Sequence, residues 1–375
     1  MRPGGNARAG VCALALALLA TAACDSSSEP SADGSPEPSQ SSSVAPTDAT
    51  SSPSPPLAQR GPFTFASAGD HGANEITELS LTALDASEAD FYIALGDLDY
   101  DETESDEAWC GYVKERLPSK GREFPFELVV GNHENGDEDP GDDDGEIADF
   151  AACLPDRMSS RIGPGSSYGV EYAFDYPTEV PLARFIMISP GLTVGDEEYT
   201  YEPGTSHRDW LADEIDQARE AGIRWVIVAA HQPCLNTGIR HGCDSGAAVM
   251  NLLVEKRVDL MLAGHNHLYE RSVQLGLDEE SCPEVVPDSF DEGCVVDDGS
   301  DGGYDAGRGS VMVTAGSFGR LEDAEDVDDD EAGYFVTSDP ATTGFVQVTV
   351  SSQSLLGELV ATTGDLEDSF EIIAR

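Results

Sequence analysis

Five short blocks of this 375-residue chain contain the side chains best suited to metal chemistry. Four of the five directly follow an apolar, strand-like run, and each offers a metal-binding side chain where a strand would end. Ligands from five distant segments would then gather along one edge of a sheet, which is how a binuclear metal site is built. In chain order the blocks are Gly69-Asp70-His71-Gly72, Gly96-Asp97-Leu98-Asp99-Tyr100, Gly131-Asn132-His133-Glu134, Val228-Ala229-Ala230-His231 and Gly264-His265-Asn266-His267.

The donor groups in these blocks are carboxylates, an amide and imidazoles, a combination that suits Fe, Mn or Zn. A glycine precedes four of the ligands, and we expect it to let the backbone turn out of the strand. Singly, each block has an ordinary alternative, such as a turn for Gly-Asp or a hydrogen-bonded structural histidine. Their joint occurrence, in order and at strand ends, favours a metal site. The candidate ligands are Asp70, Asp97, Asn132, His231, His265 and His267.

The segments around the blocks alternate between apolar strands and amphipathic helices, which is typical of parallel strands with helices packed outside. Predicted helices include Glu75–Ala86 and His207–Ala221, with Ser206 as the N-cap of the second. Three further strands, joined by short polar turns, predict antiparallel pairing near the C-terminus, so we expect mixed sheets covered by helices. The predicted strands are Phe63–Ala68, Phe91–Leu95, Phe126–Val130, Ala183–Ser189, Trp225–Ala230, Val258–Ala263 and Val311–Ala315, then Phe345–Val350, Leu355–Thr362 and Phe370–Ala374.

The charge balance is extreme, with 72 acidic and 20 basic residues and a net charge of −52. It argues against nucleic acid or an anionic membrane surface as the main partner and favours a strongly solvated surface. The densest acidic runs, Asp137–Glu146 and Glu322–Glu331, are candidates for calcium binding. Neither keeps the ligand spacing of a calcium loop, so solvated loops are the default interpretation.

The first 23 residues predict an export signal, because the positive charges of Arg2 and Arg8 precede an apolar run that is too short to span a bilayer. Small residues directly before Cys24 resemble a bacterial lipoprotein cleavage site. We therefore expect a cell-surface lipoprotein anchored at Cys24, with plain secretion as the alternative. Residues 24–60 are rich in Ser and Pro and predict a disordered tether, which leaves one folded domain over residues 61–375.

Six cysteines remain beyond Cys24, and an even number in an exported chain favours disulfides. We predict sequential pairing, and the absence of a Cys-x-x-Cys pair argues against a zinc site. The acidic, Gly-rich segment Asp278–Gly309 is predicted to be a long surface loop clipped by a disulfide. The predicted pairs are Cys110–Cys153, Cys234–Cys243 and Cys282–Cys294.

The series GDxG, GDxxY, GNH[DE], VxxH and GHxH resembles that of the purple acid phosphatases, within the calcineurin-like metallophosphoesterase superfamily. All five blocks match, over a region of roughly residues 63 to 375. The resemblance implies an α/β fold, a four-layer α/β/β/α sandwich with two mixed sheets. Tyr100 distinguishes the purple acid phosphatases from other calcineurin-like phosphoesterases, which use Asp-x-His in the first block and lack this tyrosine. Here the position two after Asp70 is Gly72, which cannot bind a metal.

The resemblance assigns seven ligands to two metal ions, Fe(III) and a divalent Fe, Zn or Mn, with one carboxylate shared between them. Two carboxylates and a tyrosinate supply roughly three negative charges against about five positive, so the centre could hold phosphate despite the acidity of the chain. The implied ligands are Asp97 as the bridge, Asp70, Tyr100 and His267 for the ferric ion, and Asn132, His231 and His265 for the divalent ion.

The reaction implied by the resemblance is hydrolysis of phosphate monoesters by a metal-bound hydroxide. His133 is the best donor of a proton to the leaving group. His241 lies where the family often carries another substrate histidine, with a plain loop histidine as the alternative. Glu134 is expected to orient His133 or to face solvent. His71 is expected to support the ligands or to face the substrate, and His207 is interpreted as an ordinary residue of the first turn of its helix.

Two other functions stay open. One is a phosphodiesterase or nucleotidase on the same scaffold, because substrate choice lies in the loops. The other is a non-catalytic surface lipoprotein that keeps metals structurally, which His133 and the complete ligand set argue against. The expected partner is a small phosphate ester, with no nucleic acid and with membrane contact only through the lipid on Cys24.

Overall fold

The computed structural model describes residues 61–136, 145–239, 242–321, 324–326 and 328–375. The predicted signal at residues 1–23, Cys24 and the tether at 24–60 lie outside these ranges, as does most of the acidic run Asp137–Glu146. None of the helices in the described ranges has both the length and the apolar character that a membrane span requires. The α-helices in these ranges are α1 (Glu75–Ala86), α2 (Asp106–Arg116), α3 (Ile147–Cys153), α4 (Ser206–Glu220) and α5 (Ala247–Glu255).

A seven-stranded mixed sheet forms one half of the core, in the order β14-β19-β18-β17-β1-β2-β3. β1, β2 and β3 are parallel to one another, while β1, β17, β18 and β19 pair antiparallel in succession, as the C-terminal pattern predicted. Its strands are β1 (Phe63–Ala68), β2 (Phe91–Leu95), β3 (Phe126–Val129), β14 (Gly303–Asp305), β17 (Thr343–Val350), β18 (Ser354–Thr363) and β19 (Ser369–Ile373).

An eight-stranded mixed sheet forms the other half, in the order β16-β11-β15-β10-β9-β6-β5-β4. Its centre, β6, β9, β10 and β15, is parallel, and antiparallel strands lie on both sides. Its strands are β4 (Arg161–Ile162), β5 (Tyr172–Tyr176), β6 (Ala183–Met187), β9 (Trp225–Ala229), β10 (Leu260–Ala263), β11 (Tyr269–Ser272), β15 (Val311–Ala315) and β16 (Phe335–Asp339).

The two sheets pack face to face through aromatic side chains. The rings of Phe65 and Phe91 in the first sheet lie 5.0 and 5.3 Å from the ring of Phe185 in the second. Helix α1 packs on β17 and β18, and α4 packs on β6. In α5, Val249 and Met250 line a small cavity together with residues of β9 and β10. The predicted α/β/β/α sandwich with two mixed sheets is therefore confirmed.

The segment Asp278–Gly309 is more structured than predicted. It contains strand β13 (Val295–Asp297), which pairs with β12 (Gln274–Leu275), and it also supplies β14 at the edge of the seven-stranded sheet. The prediction of a surface loop was therefore wrong for these stretches, because each pairs with a strand that lies outside the segment. The remaining short elements are β7 (Thr193–Val194), β8 (Glu197–Glu198) and 3-10 helices at Glu292–Cys294 and Ala332–Tyr334.

Local predictions hold with small shifts at the ends of elements. Several predicted strands are one or two residues shorter in the structure, and α4 begins at Ser206. The N-cap of α4 is Thr205 rather than the predicted Ser206, because the Thr205 hydroxyl accepts a hydrogen bond from the N–H of Arg208. The three predicted disulfides are all present, namely Cys110–Cys153, Cys234–Cys243 and Cys282–Cys294.

Candidate metal centre

The candidate ligands of all five blocks lie in the loops that follow β1, β2, β3, β9 and β10, so both sheets contribute to one site. Backbone hydrogen bonds join these loops directly. The N–H of Asp70 donates to the carbonyl of Gly96 at 3.0 Å, and the N–H of Gly264 donates to the carbonyl of His231 at 2.9 Å. The loops therefore form one packed unit at the ends of the parallel strands.

Backbone strain is concentrated in this unit. Eight non-glycine residues in the described ranges have a left-handed φ, and four of them are predicted ligands: Asp70 (65°), Asp97 (52°), Tyr100 (57°) and His265 (69°). Each such residue costs on the order of 1 kcal/mol or more, so surrounding contacts must enforce the conformation. Strain gathered in one place in this way indicates a functional site.

The glycines before the ligands mainly allow close approach between loops. Gly96 does turn the chain, with a φ of 82°. At Gly131, in contrast, a Cβ would lie 2.1 Å from Oδ1 of Asp97. Any larger residue there would displace Asp97, so the expected turning role describes Gly96 but not Gly131.

A first donor cluster consists of Tyr100 and the three side chains around its hydroxyl. This hydroxyl lies 3.0 Å from Oδ1 of Asp70, 2.9 Å from Oδ2 of Asp97 and 3.2 Å from Nε2 of His267. Nε2 of His267 is also 3.3 Å from Oδ1 of Asp70. One phenol proton cannot satisfy two carboxylates and an imidazole, whereas a cation among these atoms would.

A second donor cluster consists of His231 and the three side chains around its Nε2. This atom lies 3.1 Å from Oδ1 of Asp97, 3.1 Å from Oδ1 of Asn132 and 3.0 Å from Nδ1 of His265. The other ring nitrogen, Nδ1, donates to the carbonyl of Leu95 at 2.6 Å. Burial favours the neutral ring, but the charge and hydrogen bond of Asp97 raise the pKa of His231 to about 9. A cation bound between Nε2 and the oxygens of Asp97 and Asn132 would take the place of the proton on Nε2.

Asp97 belongs to both clusters, since Oδ2 faces the first and Oδ1 faces the second. Burial opposes ionisation of Asp97, but the charge and hydrogen bond of His231, followed by His133 and His265, hold its pKa below the usual range. Burial, and then the Asp70 and Asp97 carboxylates, raise the pKa of Tyr100 well above its ordinary value. A phenolate at Tyr100 therefore requires a cation beside it.

His133 lies at the rim of the clusters and is partly exposed. Its backbone N–H donates to Oδ1 of Asp97 at 3.3 Å, and Nε2 lies 3.7 Å from Oδ2 of the same carboxylate. Its ring is 4.4 Å from the ring of Tyr100. An imidazole beside both clusters is well placed to exchange a proton with a bound substrate.

Glu134 has a role that the sequence did not predict. It is fully buried, and Oε2 accepts hydrogen bonds from the backbone N–H groups of Asp97 and Gly131, both at 3.0 Å, while Oε1 accepts one from Leu98. The expectation that Glu134 faces solvent was therefore wrong, and the expectation that it orients His133 stays a prediction. Its carboxylate holds the loop that carries Asp97.

Asp244 is a second residue that the sequence analysis missed. Its Oδ2 lies 3.0 Å from Nε2 of His265, whose Nδ1 belongs to the second cluster. A carboxylate on the outer nitrogen fixes the orientation and tautomer of a ligand histidine. The two residues are 21 positions apart, and only the fold brings them together.

The structure buries both His71 and His207. His71 is fully buried among aromatic rings, and its Nε2 lies 2.9 Å from the hydroxyl of Tyr92, so it does not face a substrate. Burial lowers its pKa to about 4. His207 lies in the first turn of α4 as predicted, but it is buried, with Nδ1 2.9 Å from Oε2 of Glu171. His241 lies outside the described residues.

Comparisons with known proteins give one family match and several similar proteins. A family model for calcineurin-like phosphoesterases matches residues 65–269. Purple acid phosphatase 21 of Arabidopsis thaliana is 28% identical over 230 residues, which cover 60% of this chain and 48% of that protein. The phosphoenolpyruvate phosphatase of Allium cepa is 26% identical over 225 residues, which cover 57% of this chain and 42% of that protein.

A purple acid phosphatase from yellow lupin (Lupinus luteus) seeds has a similar structure. Its TM-score is 0.59 at 18% identity, covering 86% of this chain and 55% of that one. The chain thus spans about half the length of the curated relatives it matches. The predicted resemblance to purple acid phosphatases is confirmed.

Proposed function

This chain belongs to the calcineurin-like phosphoesterase family, and from that premise we propose that it is a metal-dependent hydrolase of phosphate monoesters. The observation that carries the proposal is the position of Asp97. Its two carboxylate oxygens face two different donor clusters, as a bridge between two metal ions requires. Similarity to purple acid phosphatases supports the choice of monoesters.

The proposed centre uses all seven predicted ligands. The first cluster contains the only phenol and would hold Fe(III), because a phenolate is a hard anionic donor. The second contains an amide and two imidazoles and would hold divalent Fe, Zn or Mn. Bound there, the two ions would neutralise phosphate oxygens and lower the pKa of a water molecule. The ligands are Asp70, Tyr100 and His267, then Asn132, His231 and His265, with Asp97 shared.

The protein side chains supply positioning and proton transfer. We assign to His133 the donation of a proton to the leaving oxygen, since its ring is partly exposed beside both clusters. Leu95 and Asp244 fix the rings of His231 and His265 through the nitrogens that point away from the second cluster. Glu134 fixes the backbone that presents Asp97. His241 is retained as a proposed substrate contact.

We further propose that residues 61–375 form a single phosphoesterase domain and that the protein is exported, either anchored at Cys24 or secreted. The three disulfides support export, because such bonds persist in oxidising compartments. The predicted signal supports it independently.

The test of the proposed function is phosphate release by the purified full-length protein, with metal analysis on the same sample. We expect two metal ions per chain and faster turnover of 4-nitrophenyl phosphate than of bis(4-nitrophenyl) phosphate. Asn132→Ala and His265→Ala should lose most turnover, whereas the exposed control Asp216→Asn should keep it. Faster diester turnover would favour the phosphodiesterase alternative, and full activity in Asn132→Ala would contradict the metal assignment.

The ferric assignment has a separate spectroscopic test. A tyrosinate bound to Fe(III) absorbs visible light by charge transfer, so the native protein should be coloured. Tyr100→Phe should lose the band, while the matched variant Tyr112→Phe should keep it, because Tyr112 lies in α2 and bonds the carbonyl of Asn74. An active, colourless protein loaded only with zinc or manganese would reject iron while leaving a binuclear phosphoesterase.

A further inference from the structure

Arg320 lies beside the proposed metal centre and has no assigned role. Its guanidinium carbon is 4.0 Å from the centre of the Tyr100 ring, the same ring that contacts His133. A positive charge therefore lies one aromatic ring away from the residue that would protonate the leaving group.

The backbone holds Arg320 firmly in this position. The N–H of Phe318 donates to the carbonyl of Gly69 at 3.2 Å, and the N–H of Gly319 donates to the carbonyl of Asp70 at 2.9 Å. A Cβ on Gly319 would lie 1.7 Å from the carbonyl oxygen of His71, so only glycine permits this approach. The location of Arg320 is thus fixed relative to the ligand Asp70.

The Arg320 guanidinium has more N–H donors than its pairing with Glu102 uses. It pairs with Oε1 of Glu102 at 3.0 Å through one terminal nitrogen, and the side chain is 27% exposed. Within the described ranges its Nε is buried and donates no hydrogen bond. An Arg–Glu pair stacked on a tyrosine can be purely structural, but this pair involves one terminal nitrogen and leaves part of the guanidinium exposed. A guanidinium can bind a carboxylate or phosphate with two parallel hydrogen bonds.

The rim of the proposed centre is acidic, so a cation there would favour binding of an anionic substrate. The stretch from Asp97 to Asp106 is strongly acidic, and the chain as a whole carries −52. An ester with a second negative group would be repelled there unless a local positive charge met that group. Arg320 is a cation that the structure places against the Tyr100 ring, which also contacts His133.

We propose that Arg320 recognises a second anionic group, a carboxylate or a further phosphate, on the leaving-group side of a phosphate monoester. The preferred substrates are then monoesters whose leaving group carries its own negative charge. This inference rests on the proposed function and narrows its substrate class.

The test uses phenyl phosphate and its 3- and 4-carboxyphenyl analogues, which differ only in the second anionic group. Phosphate release gives kcat/KM for each substrate with wild type, Arg320→Gln, Arg320→Lys and the control Arg308→Gln, whose exposed guanidinium pairs with Asp305 at 3.9 Å. Arg308→Gln removes the same charge from a surface position remote in sequence from the ligands. Metal content and melting temperature are measured for every variant.

Arg320→Gln should lower kcat/KM for the better carboxyphenyl phosphate about tenfold or more, while phenyl phosphate changes less than about threefold. Arg320→Lys should lose less, and Arg308→Gln should match wild type. An equal fall for all substrates, or no fall, in a variant with normal metal content would overturn the inference. If wild type hydrolyses none of the three esters, the proposed function fails and this inference fails with it, whereas a lost preference alone leaves the proposed function standing.

Discussion

Glu134 accepts a hydrogen bond from the backbone N–H of Asp97 at 3.0 Å, so a buried carboxylate determines where the shared carboxylate of the candidate centre lies. The same side chain accepts hydrogen bonds from Leu98 and Gly131. It therefore joins the loops after β2 and β3, which supply three of the seven proposed ligands. These hydrogen bonds help to hold Asp97 at its strained φ.

Replacing Glu134 should loosen the metal centre. In Glu134→Gln the amide N–H₂ must face at least one backbone donor, so we expect metal affinity to fall about tenfold to a hundredfold. Competition with a chromogenic chelator measures this change. Glu123→Gln, at an exposed carboxylate, is the matched control. Unchanged affinity in a folded Glu134→Gln protein would show that the hydrogen bonds do not position Asp97.

Asp244 should strengthen metal binding by fixing the ring of His265. Asn in its place can still accept a hydrogen bond from Nε2 but supplies no charge, so Asp244→Asn should weaken metal binding by about tenfold and Asp244→Ala by more. Metal titration followed by phosphate release measures both effects. Asp216→Asn, whose exposed carboxylate pairs with Lys256, should behave as wild type. Equal affinity in all three variants would contradict the role given to Asp244.

The effect of replacing His133 on turnover should depend on the leaving group of the substrate. His133→Asn should slow hydrolysis of an alkyl phosphate by about a hundredfold or more, because a poor leaving group needs a proton. Turnover of 4-nitrophenyl phosphate should fall much less, since that leaving group departs as an anion. Parallel assays with metal analysis provide the comparison. The same fall for both esters would indicate that His133 binds the phosphoryl group but does not protonate the leaving oxygen.

Glu270 should make stability depend on pH. Burial raises its pKa to about 7, although its Oε1 accepts hydrogen bonds from the N–H (2.8 Å) and hydroxyl of Thr237. The unfolded carboxyl has a pKa of about 4.3, so the unfolded chain loses this proton first as the pH rises. The contribution of Glu270 to stability is then complete below about pH 4.3 and is lost as the pH rises towards 7.

Urea unfolding between pH 4 and about pH 8 measures this dependence. Glu270→Gln cannot titrate, so its free energy of unfolding should decline less over this window than that of wild type, by up to about 4 kcal/mol. The exposed variant Glu115→Gln should follow wild type. A parallel decline in Glu270→Gln would mean that the carboxyl is ionised in the folded protein throughout.

Local patterns were sufficient for most of the architecture. Apolar runs such as Phe63–Ala68 and Phe91–Leu95 predicted strands with the observed bounds, because a strand buried on both faces needs a continuous apolar run. Sequential pairing of an even number of cysteines predicted the disulfides. The pattern failed at β14, whose three residues, Gly303–Asp305, are too few and too polar to stand out and depend on β19 for pairing.

The ligand blocks could be predicted for a similar reason, since each is a contiguous motif at the end of a strand. The sequence by itself thus determined the candidate donor set and the apolar strands that present it. Only the tertiary structure decided how the oxygens of Asp97 divide between two clusters, that Glu134 turns inward and that Arg320 lies on Tyr100. These are contacts between loops distant in sequence, and their geometry comes from close packing of the two sheets rather than from any local pattern.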